Sequence, residues 1–545
     1  MAFGILDDNK MELVPGTAFM NDQSDVPSKL EQIPRNYLKH GTGRLSHVIL
    51  VPQPTDSPND PLNWPLWKKD SILLIVGLSA AVVGAFGPML SPGFVQISHE
   101  LDISINTLSQ ATAWLILTLG ISLFFISPIA KTFGRRPVFI IAISIMFATS
   151  VWCAFSKNYD SFLASRIVSA LGMAPYEVIV ANTVGDLYFV HQRATRMAVW
   201  NLFLLCGIAG GSLISGYIIE DIGWKWTFGV CAIFFGVFFF LVIFWVPETA
   251  YIRPPLAERF SDIQTITSKG EKQEQDIASK EGLSTPQPST LEESKDSYLK
   301  TLRFATGKRY SDAPFLKIFL RPAIVFFYPG VIWAFLIYGV TLTWIVVFSV
   351  VNASIFTEAP YNFSVSQVGL ISLSPFILTI VGQLISGPLN DYLCLYLTKK
   401  NHGIYEPEFR LVLMVPVLLL GVVGFFGFGA SVHYQTHWIG PVLCFGFANM
   451  ALTSASGCCF GYVIDSYENV SEEAFVAINA RNILTFGLTY FVNDWLEKDG
   501  VLAVFNVLGS AFVAVTALTI PLWVFGKRLR SLVARNAWLD RFMKN

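Results

Sequence analysis

Arg166 and Glu177 stand inside a stretch of chain that is otherwise almost wholly apolar. They are eleven residues apart. On a helix that separation leaves them only ~20° apart around the axis but ~16 Å apart along it, so they share a face without forming a direct ion pair. Ionisable groups in such surroundings are costly and are functional candidates by default. Burial disfavours the charged form of a carboxyl, which suits a group that binds a proton from one side and releases it to the other. Glu177 is therefore the proton-coupling candidate. Arg166 is either a cavity residue or a clamp on neighbouring carbonyls.

Polar and aromatic residues on other apolar stretches could line the same cavity: Trp114, Asn182, Asn201, Trp333, Tyr338, Gln383 and Asn449. The rings of Trp333 and Tyr338 could face a cationic ligand or simply pack. Other chemistries find little support. The seven histidines fall in tails and loops, and the seven cysteines lie in or beside apolar stretches without zinc-ligand spacing. No phosphate-binding Gly-x-x-x-x-Gly-Lys-Ser/Thr loop occurs. No metal, cofactor or enzymatic activity is expected.

The elements that must carry these residues are twelve apolar stretches of membrane-spanning length. They are placed near Ser71–Val95, Leu108–Ala130, Pro137–Phe155, Phe162–Val184, Met197–Ile219 and Thr227–Val246, then Ala323–Val350, Val368–Leu389, Leu411–Ser431, Trp438–Ile464, Ala474–Phe491 and Val501–Phe525. The expected fold is an all-α membrane protein with twelve transmembrane helices in two pseudo-symmetric six-helix bundles. Its parts are a cytosolic tail (1–70), an N-terminal bundle (71–246), a polar linker (247–322), a C-terminal bundle (323–525) and a second cytosolic tail (526–545). With 53 % hydrophobic and 14 % charged residues the surface calls for lipid as its solvent, and a net charge of −1 gives no reason for nucleic-acid binding. Lys131, Arg135, Arg136, Arg193, Arg196, Lys399, Lys400 and Arg410 fall in loops on one side. That side, with both termini, is expected to be cytosolic.

Ser127-Pro-Ile-Ala-Lys131-Thr-Phe-Gly134-Arg135-Arg136-Pro137 follows the second stretch. In its second half it resembles the loop signature of the major facilitator superfamily, Gly-x-x-x-Asp-Arg-x-Gly-Arg-Arg/Lys. Ser127 replaces the first glycine and Lys131 stands where the family has an acid. The matching place in the other half, Gly387-Pro-Leu-Asn390-Asp391, keeps the complementary part, as a degraded internal repeat would. Arg166-x-x-Ser-x-x-Gly172 is similar to a pattern of the same family, and Gly207, Gly211, Ser215 and Gly216 resemble its antiporter signature without the prolines. Asp60-Pro-Leu-Asn-Trp64, Gly84-Ala-Phe-Gly-Pro88, Val246-Pro-Glu-Thr249 and Glu406-Pro-Glu-Phe-Arg410 look like a fungal branch of the twelve-span drug:proton antiporter group, the one that contains polyamine and histidinol transporters.

The resemblance implies a monomeric plasma-membrane carrier whose partners are lipid, protons and a small molecule. Proton-coupled export of a drug, toxin or secondary metabolite leads, with uptake of a cationic nutrient such as a polyamine and a non-transporting nutrient sensor as alternatives. Gating is assigned to Gly134, Arg135, Arg136, Asp391, Asp465, Glu472 and Glu473. Arg135 and Arg136 are expected to bridge to an acidic loop that holds Asp465, Glu468, Glu472 and Glu473. The sequons at Asn352 and Asn362 are placed outside, where they could be glycosylated, and the one at Asn469 inside.

Overall fold

The computed structural model describes residues 3–11, 14–19, 39, 50, 52–253, 295–305, 307–311, 313–467 and 470–543. Apolar helices dominate it. The first span runs over Leu66–Phe86, breaks at Gly87, passes a 3-10 turn at Ser91–Gly93 and resumes over Phe94–Leu101. Ile105–Phe133, Arg136–Phe155, Tyr159–Leu187, Val190–Asp221 and Trp224–Trp245 complete the first six spans. The seventh is Pro329–Thr357, and the eighth joins Val365–Ile371 to Leu373–Lys400. The ninth and tenth are Met414–His433 and Ile439–Ser466. The last two share one long apolar segment, Ser471–Ala534, folded back at Gly500, whose φ of 79° is open to glycine. Eleven apolar segments therefore hold twelve crossings.

Local signals set several boundaries. Ser104 and Asn158 side chains accept amides at the starts of the second and fourth spans, and Ser364 with Gln367 forms a capping box before the eighth. Gly134, at φ 101°, makes the turn between the second and third spans. A Cβ there would also lie 2.3 Å from a carboxylate oxygen of Glu248. Outward-facing Phe240, Ile233, Leu384, Val415 and Leu419 are exposed, as an apolar band against lipid requires.

Within the first half, the small face at Gly207 and Gly211 packs on Ala81 and Ala85 of the first span. The halves meet where the second span packs on the eleventh and the fifth on the eighth, which are repeat-equivalent pairs.

The tails are more ordered than a free-tail reading expects. Ile5 and Val14 are buried, and Ala18–Phe19 pairs antiparallel with Ile404–Tyr405, between the eighth and ninth spans. Asp7 meets Lys527 at 3.2 Å, Asp8 accepts from Ser531 at 2.6 Å, and Thr17 donates to Glu406 at 2.7 Å. Residues 3–11 and 14–19 are thus docked on the second half. Asp60 anchors a separate segment to the first half, capping the turn Pro61–Asn63 and accepting Arg253 at 2.9 Å. Burial raises the Asp60 carboxyl, but hydrogen bonds from Arg253 and from the Thr55 and Leu62 amides hold it below its ordinary value.

Candidate functional site

A cavity of about 110 Å³ lies between the halves. Apolar side chains from both make most of its wall, among them Leu115, Ile116, Leu204, Ile208, Leu342 and Leu452. Its polar positions include Glu177, Tyr338, Asn449, Arg481 and Asn482. The fourth span brings Glu177, the seventh Tyr338, the tenth Asn449, and the eleventh begins at Arg481 and Asn482.

Glu177 is not the solitary acid that the sequence reading assumes. Its Oε1 lies 3.7 Å from Nη2 of Arg481, across the interface between the halves. Arg481 is itself held by the Asn482 side chain at 2.8 Å and stands 5.0 Å from the Tyr338 ring centroid. Glu177 Oε2, Arg481 Nε and Asn482 Nδ2 are buried without a hydrogen-bond partner. Arg481 escaped notice in the sequence although it falls inside the stretch Ala474–Phe491. The signal was there: a cation in an apolar span, as informative as Glu177.

Of the other cavity candidates, Tyr338 and Asn449 line the wall, and the rest stand elsewhere. Arg166 is fully buried and donates to the Phe86 and Gly87 carbonyls at 2.7 and 2.8 Å. Those carbonyls are released where the first span breaks, so Arg166 is a clamp on that break rather than a cavity residue. Trp114 is 38 % exposed and packs on Phe486. Trp333 is buried, donating to Thr519 at 3.0 Å and packing on Tyr462. Asn201 donates to Ser456 at 3.1 Å, joining the two halves. Asn182 and Gln383 are buried and half-buried away from the lining.

One face carries the basic loops, and there ion pairs close the seam between the halves. Lys131 reaches Glu473 at 2.8 Å and Glu472 at 3.8 Å; Arg135 reaches Glu472 at 3.4 Å. Lys131, where the family pattern has an acid, thus supplies a cross-half cation. Arg135 also pairs with Asp186 at 2.7 Å within its own half. Arg136 does not bridge. Its guanidinium is spent on the carbonyls of Ile243 and Val246, where the sixth span ends and would otherwise leave acceptors unpaired, and on those of Leu302 and Arg303 in the linker. Glu248 accepts the Arg135 and Arg136 amides at 2.9 and 3.2 Å, fixing the turn that Gly134 makes.

Asp465 turns to Arg410, at 2.5 Å, and to the Tyr405 hydroxyl. It is the counterpart in the second half of the Asp186–Arg135 pair, not a partner of Arg135 or Arg136. Asp391 is exposed and has no ion pair among the described residues. Glu468 and Asn469 lie outside the described residues.

The far face closes differently. Gly216 of the fifth span and Gly369 of the eighth touch backbone to backbone: a Cβ on Gly216 would lie 2.9 Å from Gly369 Cα. Glu220 accepts from the Ser364 hydroxyl at 3.0 Å and the Ser366 amide at 2.5 Å, and Asn106 donates to Asp494. Among the described residues no ion pair joins the halves on this face. Asn352 is 6 % exposed within the seventh span, so burial removes it as a glycan acceptor, whereas Asn362 is exposed in the loop that follows.

Comparison with known proteins fits this geometry. The chain is 26 % identical to the MFS-type transporter C1271.10c of Schizosaccharomyces pombe, covering 99 % of this chain and 96 % of that one. It is 24 % identical to the protein HOL1 of Saccharomyces cerevisiae, covering 89 % and 90 %. It is 26 % identical to the efflux pump radE of Floropilus chiversii, covering 87 % and 84 %. The solved proton:xylose symporter XylE shares the fold at a TM-score of 0.55 and 14 % identity, covering 86 % of this chain and all of that one. The family model described as Major Facilitator Superfamily matches residues 72–487, from the first span through the cavity-lining start of the eleventh, and the chain belongs to that family as a secondary transporter.

Proposed function

We propose that the protein exports a small organic molecule across the plasma membrane in exchange for protons, working as a monomer with Glu177 as the proton-carrying group. The observation that carries this reading is the position of Glu177. Among the described residues it is the one carboxylate on the cavity wall, and it faces a cation contributed by the other half. A proton on Glu177 competes with Arg481 for the carboxylate, so protonation loosens a contact that spans the interface the carrier must rearrange. The two closures supply the alternation: ion pairs on the basic face and a glycine seam on the far face are the contacts that must break in turn. The excess of Lys and Arg puts the basic face and both tails in the cytosol. The likeness to radE, named an efflux pump, supports export.

The test compares accumulation of a metabolite and polyamine panel in cells with and without the protein, at two external pH values, and repeats it with Glu177→Gln. That variant keeps the shape of the side chain and removes the titratable site. It is expected to reach the membrane but lose its dependence on the pH gradient. Concentrative, pH-dependent transport at near wild-type rate by Glu177→Gln would refute the assignment.

A further inference from the structure

The cavity wall carries an electrostatic and hydrogen-bonding signature that constrains what fits inside. Its ionisable side chains are Glu177, Arg481 and Tyr338, and the first two are opposite charges 3.7 Å apart. With Glu177 ionised, these side chains carry no net charge. A bound monocation would sit beside Arg481 and leave one positive charge uncompensated among apolar walls. A bound monoanion would do the same beside Glu177 with the opposite sign. Either excess charge is expensive where Leu115, Ile116, Leu204, Ile208, Leu342 and Leu452 are the surroundings.

The unpaired polar atoms sharpen the requirement. Glu177 Oε2 is an acceptor without a donor, and Arg481 Nε and Asn482 Nδ2 are donors without an acceptor. Glu177 belongs to one half and Arg481 and Asn482 to the other, with Arg481 linking the two across the interface. Buried polar atoms left unpaired are costly, and a ligand that pairs them recovers that loss.

Resting on the reading of Glu177 as the proton site, we infer that the cavity selects an uncharged, largely apolar molecule with a hydrogen-bond donor beside a carbonyl-type acceptor, such as an amide edge. The ligand's N–H or O–H is given to Glu177, and its carbonyl oxygen accepts from Arg481 and Asn482. A proton on Glu177 turns the acceptor into a donor, so the proton and the ligand's own donor compete for one carboxylate. Such competition is what exchange requires. The polyamine class, by contrast, would bring two or more positive charges to a wall that already holds Arg481.

The test uses the full-length protein in lipid nanodiscs and three probes of nearly equal size: benzamide, benzylamine (a cation at pH 7.5) and benzoate (an anion). Binding is read from the quenching of intrinsic tryptophan fluorescence and from the shift of the thermal unfolding midpoint. Benzamide is expected to bind about tenfold more tightly than either ion at pH 7.5, the ratio that one unpaired buried polar group sets. Its affinity should fall as pH is lowered in the wild type and stay constant in Glu177→Gln. Arg481→Gln should lose the preference for benzamide over benzylamine while still unfolding cooperatively. Tighter binding of either ion, or binding of none of the three, overturns the neutral class. Selectivity for benzamide that does not change as pH is lowered refutes instead the underlying assignment of the proton to Glu177.

Discussion

Adding one methyl group at Gly216 should hold the far face open. A Cβ there would lie 2.9 Å from Gly369 Cα and 3.0 Å from the Val365 carbonyl oxygen. Carbon atoms pack at ~3.5–4.0 Å, so the fifth and eighth spans must part by roughly 0.6–1 Å to accept the methyl. Neither neighbour is a flexible side-chain end that could swing aside. Overpacking of this kind costs about 1–3 kcal/mol. Since ~1.4 kcal/mol is tenfold in an equilibrium, the far-face-open state of Gly216→Ala should gain about 5- to 150-fold in population. The assay is maleimide labelling from the far side of a cysteine placed at Ser349, a cavity-wall residue, with the wild-type background subtracted. Labelling should quicken and transport should slow, because the cycle includes closure of this face. Gly369→Ala should act in the same direction. The double variant should cost less than the sum of the two, as the residues share one contact. Unchanged labelling together with wild-type transport in Gly216→Ala would refute the claim that this glycine contact is the closure.

Lys131→Ala combined with Arg135→Ala should slow transport severalfold without loss of protein from the membrane, and exchanging charges with Glu472 and Glu473 should restore part of the rate; no recovery in any combination counts against a cross-half latch. Arg136→Ala should instead reduce the amount of folded protein, measured by detergent-extracted monodisperse yield, because four carbonyls lose their donor. Asp60 is held below its ordinary value of 3.8 by Arg253 and backbone amides. Its contribution to stability is therefore full above that value and lost as pH falls through the lower folded one, so thermal melts from pH 6 down to pH 3 should steepen less in Asp60→Asn than in wild type. Any N-glycan should disappear with Asn362→Gln and persist in Asn352→Gln, as read by the mobility shift on glycosidase treatment.

The large elements were legible because membrane crossing demands long apolar runs, and the repeat left matching traces such as Asp186 and Asp465 near equivalent span ends. What the sequence withheld was pairing in three dimensions. Glu177 was recognised as an isolated acid because its partner, Arg481, lies about 300 residues away. Arg135 and Arg136 look interchangeable as neighbours, yet successive helical positions point in different directions: one meets Glu472, the other turns to the end of the sixth span. Trp114, Trp333 and Asn201 were read as cavity residues from type alone, and a helix in lipid buries several faces at once. Lys131 was legible as a departure from the family pattern, but its consequence required Glu473 in view. The break after Phe86, which gives Arg166 its task, was written as Gly87-Pro88 and was read only as a motif.

The docking of residues 3–11 and 14–19 has a consequence for how the molecule is made. Ile5 is buried against Cys394 and Phe409 of the second half, and the packing and hydrogen-bond partners of this segment lie between Cys394 and Ser531. At ~5–20 residues per second, this segment is made about 25–100 seconds before Ser531, the last of the partners named above. A chain stopped before Ile404 would leave the Ala18–Phe19 strand edge unpaired and Ile5 without Phe409. Docking of this segment therefore waits on the second half, whose surface must be made before the segment can be covered.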